Sequence, residues 1–266
     1  MPSDGNNNQA SRSDNEMKQS KVVLCVVAAL AMAGAAWAEG DVSVEVTADF
    51  FSKYIWRGQN VTDDWSFQPG VSATYAGLTG GIWGSLDMTS ENDQSGEFIE
   101  YDWYLDYSGA ISDAVGYSVG AIYYYFPGGE ATTELYAGVS VDTIASPSLT
   151  VYYDIDEVEG TYVSLGFGHS VAGLEDLPFG IDLSASVGWG DSSYNDAYWG
   201  TTAMPNIGSE LNDLVLSVGL PFEVGPVSVT PSVTYVALLG SDVKDSDAFD
   251  TDNDVVVAGI GLAYGF

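Results

Sequence analysis

From Val42 onward the chain alternates apolar and polar residues with a period of two. In Val42–Arg57 one face carries Val42, Val44, Val46, Ala48, Phe50, Ser52, Tyr54 and Trp56. The other carries Ser43, Glu45, Thr47, Asp49, Phe51, Lys53, Ile55 and Arg57. Side chains of a strand point alternately to its two faces, so this pattern predicts a strand with one greasy and one polar side. The same alternation in Ile99–Tyr107 puts Ile99, Tyr101, Trp103, Leu105 and Tyr107 opposite Glu100, Asp102, Tyr104 and Asp106.

Further strands are predicted near 66–75, 78–88, 115–126, 133–142, 149–156, 161–171, 179–190, 211–220, 227–238 and 254–266. With the first two this makes twelve, each about ten residues long, the length that crosses a hydrocarbon layer when tilted. An even number suits a bacterial single-chain barrel. The connections alternate as well. Short turns such as 76–78 and 221–226 follow even strands, and long loops such as 191–210 and 240–254 follow odd ones. With a periplasmic N-terminus the long set lies outside the cell.

Aromatic residues on the apolar face are expected at two heights. Trp56, Phe67, Trp103, Tyr125, Tyr153 and Trp189 fall toward the long loops; Tyr75, Tyr107, Tyr117, Phe179, Tyr264 and Phe266 fall toward the short turns. Two belts imply two membrane interfaces. A soluble sandwich would explain neither the belts nor the loop asymmetry. The predicted fold is therefore all-β: a transmembrane antiparallel barrel of about 12 strands, occupying 39–266 as a single domain.

Residues 1–38 read as a secretory signal peptide, with Lys18 and Lys21 ahead of an apolar run from Val22 to Ala35 and small residues at Ala36 and Ala38. Residues 1–16 have no periodicity, and Met17 could itself start the leader. Cys25, the one cysteine, lies inside that leader, so thiol and disulfide chemistry are not expected after cleavage. The expected location is the bacterial outer membrane. The last strand, with Val256, Ala258, Ile260, Leu262, Tyr264 and Phe266 on one face, resembles the C-terminal signal read by the barrel-assembly machinery.

The segments "SKYIWRGQNV", "LTGGIWGSLD", "YSVGAIYYYFPG" and "TELYAGVS" together resemble the TorF-like family of outer-membrane porins, in order and spacing over about 50–170. The resemblance implies an outer-membrane barrel and a pore. It carries no catalytic residues and no settled substrate.

Charge then narrows the function. The chain has 6 Lys and Arg against 38 Asp and Glu, and after residue 38 only Lys53, Arg57 and Lys244 remain. Nucleic acid is excluded as a partner. Apolar residues make up 46% of the chain, which excludes disorder. The expected surroundings are outer-membrane lipids and lipopolysaccharide, with small polar solutes inside.

A twelve-stranded wall lies at a radius of about 12 Å, so side chains leave only a narrow lumen. By parity the pore-lining set is Lys53, Arg57, Glu45, Asp49, Asp87, Glu100, Asp102, Asp106, Glu134, Asp154, Tyr104 and Tyr124. Lys53 and Arg57 are read as two steps apart on one wall. Two roles fit them: a constriction facing acids, which orients solutes, or neutralisation of Asp49 and the acids of the fourth predicted strand, which holds the barrel shut. Inward Trp83, Tyr136, Tyr152 and Tyr162 could line a slide or fill the interior. Inward glycines at 70, 81, 116, 120, 138, 166, 168, 259 and 261 argue for space on other walls.

Neither an enzyme nor a cofactor is expected. His169, the only histidine, points to lipid near the short turns with no serine signature around it. Asp250, Asp252 and Asp254 begin like a calcium loop, but Val255 stands where the required glycine belongs and Gly261 where the bidentate Glu belongs. The competing class is a closed barrel whose acidic outer loops bind divalent cations or partners.

Overall fold

The computed structural model describes residues 42–91, 95–171, 178–246, 248–250 and 252–266. The leader expected over 1–38 lies outside them. Fifteen strands are numbered in chain order: β1 (Ser43–Phe51), β2 (Tyr54–Trp56), β3 (Gln59–Thr62), β4 (Ser66–Tyr75), β5 (Leu78–Asp87), β6 (Phe98–Ser112), β7 (Val115–Tyr125) and β8 (Thr132–Val141), then β9 (Ser148–Asp154), β10 (Thr161–Val171), β11 (Ile181–Gly190), β12 (Glu210–Gly219), β13 (Phe222–Val224), β14 (Val227–Leu238) and β15 (Asp254–Gly265).

Twelve of them close a barrel in the order β1-β4-β5-β6-β7-β8-β9-β10-β11-β12-β14-β15, with β15 returning to β1 and every pairing antiparallel. Closure leaves no open edge on the wall, which is what a sheet needs where water cannot satisfy its backbone. The predicted strand set is thus recovered, with ends moved by a few residues. The exception is the first: the strand expected to run through Arg57 stops at Phe51.

The outer wall is apolar and uncovered. Ile82, Leu105, Val119, Leu135, Val233 and Val256 are each at least 43% exposed. Such a continuous greasy surface is foreign to a soluble monomer. Trp103, Tyr125 and Tyr153 stand exposed toward the long loops, and Tyr75, Tyr107 and Tyr264 toward the short turns, as the two-belt reading requires. Trp56 does not join them. It points inward, its ring edge-on to Tyr124 at 5.8 Å and to Tyr198 at 5.3 Å.

Long loops gather at one end. The connection after β11 forms helix α1 (Ser192–Trp199), started by Asp191, whose side chain accepts from the Tyr194 N–H. The connection after β14 forms helix α2 (Ser241–Asp245), whose Val243 N–H donates to Glu210 Oε1 at 2.7 Å. Between them lies a small core of Trp199, Ile207, Leu238 and Val243, each no more than 3% exposed. The described residues of these loops form a cap with its own apolar core, where the sequence suggested only acidic connections.

Candidate functional site: a hairpin across the lumen

Phe51 and Ser66 close the first long loop, and within it β2 and β3 pair as a separate two-stranded sheet. Trp56 pairs with Gln59, so Arg57 and Gly58 are the two central residues of the turn. Both have positive φ, 48° and 85°, as a two-residue hairpin turn of type I′ demands. Arginine accepts the left-handed region only at a cost that its surroundings must offset.

Those surroundings are the far wall. Arg57 Nη1 and Nη2 donate to Glu134 Oε1 and Oε2, each at 2.7 Å. Glu134 is on β8, and its Oε2 also accepts from Tyr124 Oη at 2.9 Å. The guanidinium carbon lies 4.4 Å from the Trp56 ring centroid, 4.5 Å from that of Tyr152 and 4.3 Å from that of Tyr162. Tyr152 is on β9 and Tyr162 on β10. In the ring of twelve, β9 is the strand opposite β1, so the hairpin leaves one wall and is pinned to the other. The contact is dry: the two charged side chains are 9% and 2% exposed. A bidentate pair with cation–π contacts is the arrangement in which an arginine tolerates such burial.

The hairpin is held along its length. Tyr54 packs on Trp83 at 5.5 Å, and Gln59 Nε2 donates to Tyr194 Oη at 3.3 Å. Tyr194 is fully buried beneath the cap. Gly58 lies so close to the β12 and β14 walls that an added Cβ would be 2.8 Å from Leu238 Cδ2 and 3.1 Å from Asp213 Cβ.

Lys53 and Arg57 therefore do not share one strand. Lys53 pairs with Asp63 at the base of the hairpin, and this ammonium, with help from Asn60, holds the Asp63 carboxyl below its usual range. The expected neutralisation of Asp49 does not occur through Arg57; the partner is Glu134. Asp87 accepts from the Thr89 N–H at 3.0 Å. Asp154 accepts from Thr132 Oγ1 at 2.6 Å and from two backbone N–H groups of the following loop. These two acids tie down loops instead of facing open lumen. Glu45 and Asp49 stay on β1 beside β15.

Asp102, Tyr104 and Asp106 line a cavity of about 320 Å³ with Trp83, Tyr136 and Tyr152. Across the hairpin a second cavity of about 190 Å³ touches Lys53, Arg57, Gln68, Val215, Thr234 and Val257. The hairpin thus divides the lumen into unequal parts.

Inward glycines have two uses. A Cβ at Gly81 or Gly120 would collide with the ring of Tyr104 or Tyr136, so there the glycine is a notch that seats a tyrosine, and space is not what it leaves. Gly116 and Gly138, with Ser108, Ser118, Ser140 and Thr150, line a more open cavity of about 430 Å³ toward the short-turn end. Sequence parity located these glycines without distinguishing the two uses. It missed Tyr54, Gln59, Tyr194 and Tyr198 altogether, although an Asp before "SSYNDAYW" is a helix-start signal.

Residues 35–199 match the model of a family described as "Bacterial protein of unknown function (Gcw_chp)". No curated protein matches the sequence. Among solved structures, a KdgM porin in complex with disordered oligogalacturonate is similar at 10% identity with a TM-score of 0.51, covering 84% of this chain and 99% of the porin. LpxR from Salmonella typhimurium is similar at 10% identity with a TM-score of 0.50 over 84% and 99%. Identity this low shows the fold alone, a closed porin-like barrel of twelve strands.

Proposed function

The chain belongs to the Gcw_chp family of bacterial proteins of unknown function, and from its porin-like barrel we infer an outer-membrane pore for passive diffusion of small solutes, cation-favouring and constricted by the 54–62 hairpin. One observation carries this reading. The hairpin crosses the lumen from β1 to Glu134 yet leaves cavities on both sides of itself. A transverse element that narrows a barrel without filling it is a selectivity device.

The cation preference rests on charge. Lys53 and Arg57 are each engaged by a carboxylate, whereas Glu45, Asp49, Glu100, Asp102 and Asp106 remain on the inward face. Field focusing in a narrow low-dielectric passage favours cations there and opposes anions. The TorF-like segments, the leader at 1–38 and the two aromatic belts support an outer-membrane location. In that setting the partners are outer-membrane lipids and lipopolysaccharide, the barrel-assembly machinery during biogenesis, and small polar solutes.

The second reading, a closed barrel acting through its acidic outer loops on divalent cations or partners, is favoured by the cap, whose Trp199 and Val243 are fully buried. Single-channel recording of the purified protein in a planar bilayer under a salt gradient separates the two. Steady steps with a cation-selective reversal potential support the pore. Correctly folded protein that stays silent overturns it in favour of the closed barrel.

A further inference from the structure

The larger of the two cavities flanking the hairpin has a composition that the protein already uses once, with its own side chain as the ligand. Around Arg57, ring faces of Trp56, Tyr152 and Tyr162 stand 4.3–4.5 Å from the guanidinium carbon and a carboxylate closes the cage. The adjoining cavity presents Trp83, Tyr104, Tyr136 and Tyr152 with Asp102 and Asp106. Tyr152 is common to both. Among the described residues no lysine or arginine lines this second chamber.

Its carboxylates are not spent on one another. Asp106 accepts a single hydrogen bond from Tyr136 Oη at 2.7 Å, which leaves acceptor capacity on both oxygens. Asp102 Oδ1 is buried without a hydrogen-bond partner among the described residues. Asp102 and Asp106 are four residues apart on β6 with Tyr104 between them on the same face. That spacing separates them by about 13 Å along the strand. The volume of about 320 Å³ is of the size that holds small ligands, about 300–1,000 Å³.

We propose that this cavity is a binding site for a small, elongated organic cation of the guanidinium or alkylammonium class, its charged ends held by Asp102 and Asp106 and its methylene chain laid along the Tyr104 and Trp83 rings. Carboxylates select the charge, and ring faces favour a weakly hydrated cation over sodium or magnesium. An anion meets two acids and no base. A neutral sugar gains stacking but leaves the carboxylates without a countercharge. The proposal deepens the pore reading by naming a solute class, and it rests on that reading for its physiological meaning.

The test is titration of agmatine, which bears one guanidinium and one ammonium, into the intact protein in lipid nanodiscs. Heat release and tryptophan fluorescence are both followed, with glucose and glutarate as neutral and anionic controls. Saturable agmatine binding is expected, weakened at least about tenfold in Asp102→Asn and in Trp83→Leu, as loss of a charged hydrogen bond or a ring face implies. The controls should give no saturation. Absence of saturable agmatine binding to the unaltered protein overturns the proposal, as does equal binding of glucose, and neither result depends on a variant folding. Retained affinity in both folded variants overturns it as well. Bilayer recording keeps the two ideas apart: a conducting barrel that ignores agmatine refutes the cation site alone, and a silent barrel that binds it refutes the pore alone.

Discussion

Replacing Arg57 by alanine removes the pin that holds the hairpin to the far wall, and the cost can be worked from the site. Two unit charges about 4 Å apart attract by about 4 kcal/mol at the effective dielectric typical of protein sites. Both side chains here are nearly dry, so Arg57→Ala leaves Glu134 buried with Tyr124 Oη as its one remaining side-chain partner. Breaking a buried pair from one side costs about 3–5 kcal/mol. Alanine at 57 would have to hold the same φ of 48° in the docked turn, so that cost is unchanged; a loss of about 3 kcal/mol in hairpin docking, the lower end of that range, is expected.

The loss falls on the hairpin and not on the barrel, whose strands are paired all round. Hydrogen exchange of the backbone amides over 54–62 is therefore the right readout. Their protection should drop about a hundredfold, since 1.4 kcal/mol is a factor of ten, while amides of β6 and β7 keep theirs. Glu134→Ala should behave similarly, and the double variant should lose much less than the two singles together. Unchanged protection over 54–62 in Arg57→Ala, or fully additive losses in the double variant, would refute the claim that this pair docks the hairpin.

The remaining predictions concern the same elements. Replacing 53–63 by a short glycine-serine linker should raise single-channel conductance severalfold, because the obstacle then leaves the lumen; equal conductance would remove the constriction from the hairpin. Gly58→Ala combines a positive φ with a Cβ only 2.8 Å from Leu238 Cδ2. It should weaken docking by about 1–3 kcal/mol, read by the same exchange experiment. Gly188→Ala would drive a methyl into the Tyr162 and Asp213 side chains, which are hydrogen-bonded at 2.8 Å; a lower unfolding temperature in lipid vesicles is expected, by several degrees. Trp199→Ala empties the core of the cap at about 3–5 kcal/mol, so limited proteolysis should cut within 191–209 while the strands stay intact.

Period-two alternation, strand count and the alternation of short and long connections are properties of local chain chemistry, and the sequence by itself determined them. Each strand of a closed barrel must present an apolar residue outward at every second position, and that requirement is written strand by strand. Parity placed Asp102, Tyr104, Tyr124, Glu134 and Tyr152 on the inward face for the same reason. The fold-back after Phe51 was not legible, because β2 and β3 alternate too; a hairpin strand inside a barrel and a strand of its wall share one period. The only local hints were a first strand much longer than its fellows and a Gly58 that suits a type I′ turn.

Tertiary structure alone decided the rest. Glu134 lies 77 residues from Arg57, and nothing in either neighbourhood names the other. Their meeting depends on ring order, which sets β8, β9 and β10 across from β1. Likewise a glycine reads as space in a sequence, but whether a tyrosine from the next strand fills it depends on register, as Tyr104 over Gly81 and Tyr136 over Gly120 show. Local pattern fixes which way each residue faces, and closure of the barrel fixes what it faces.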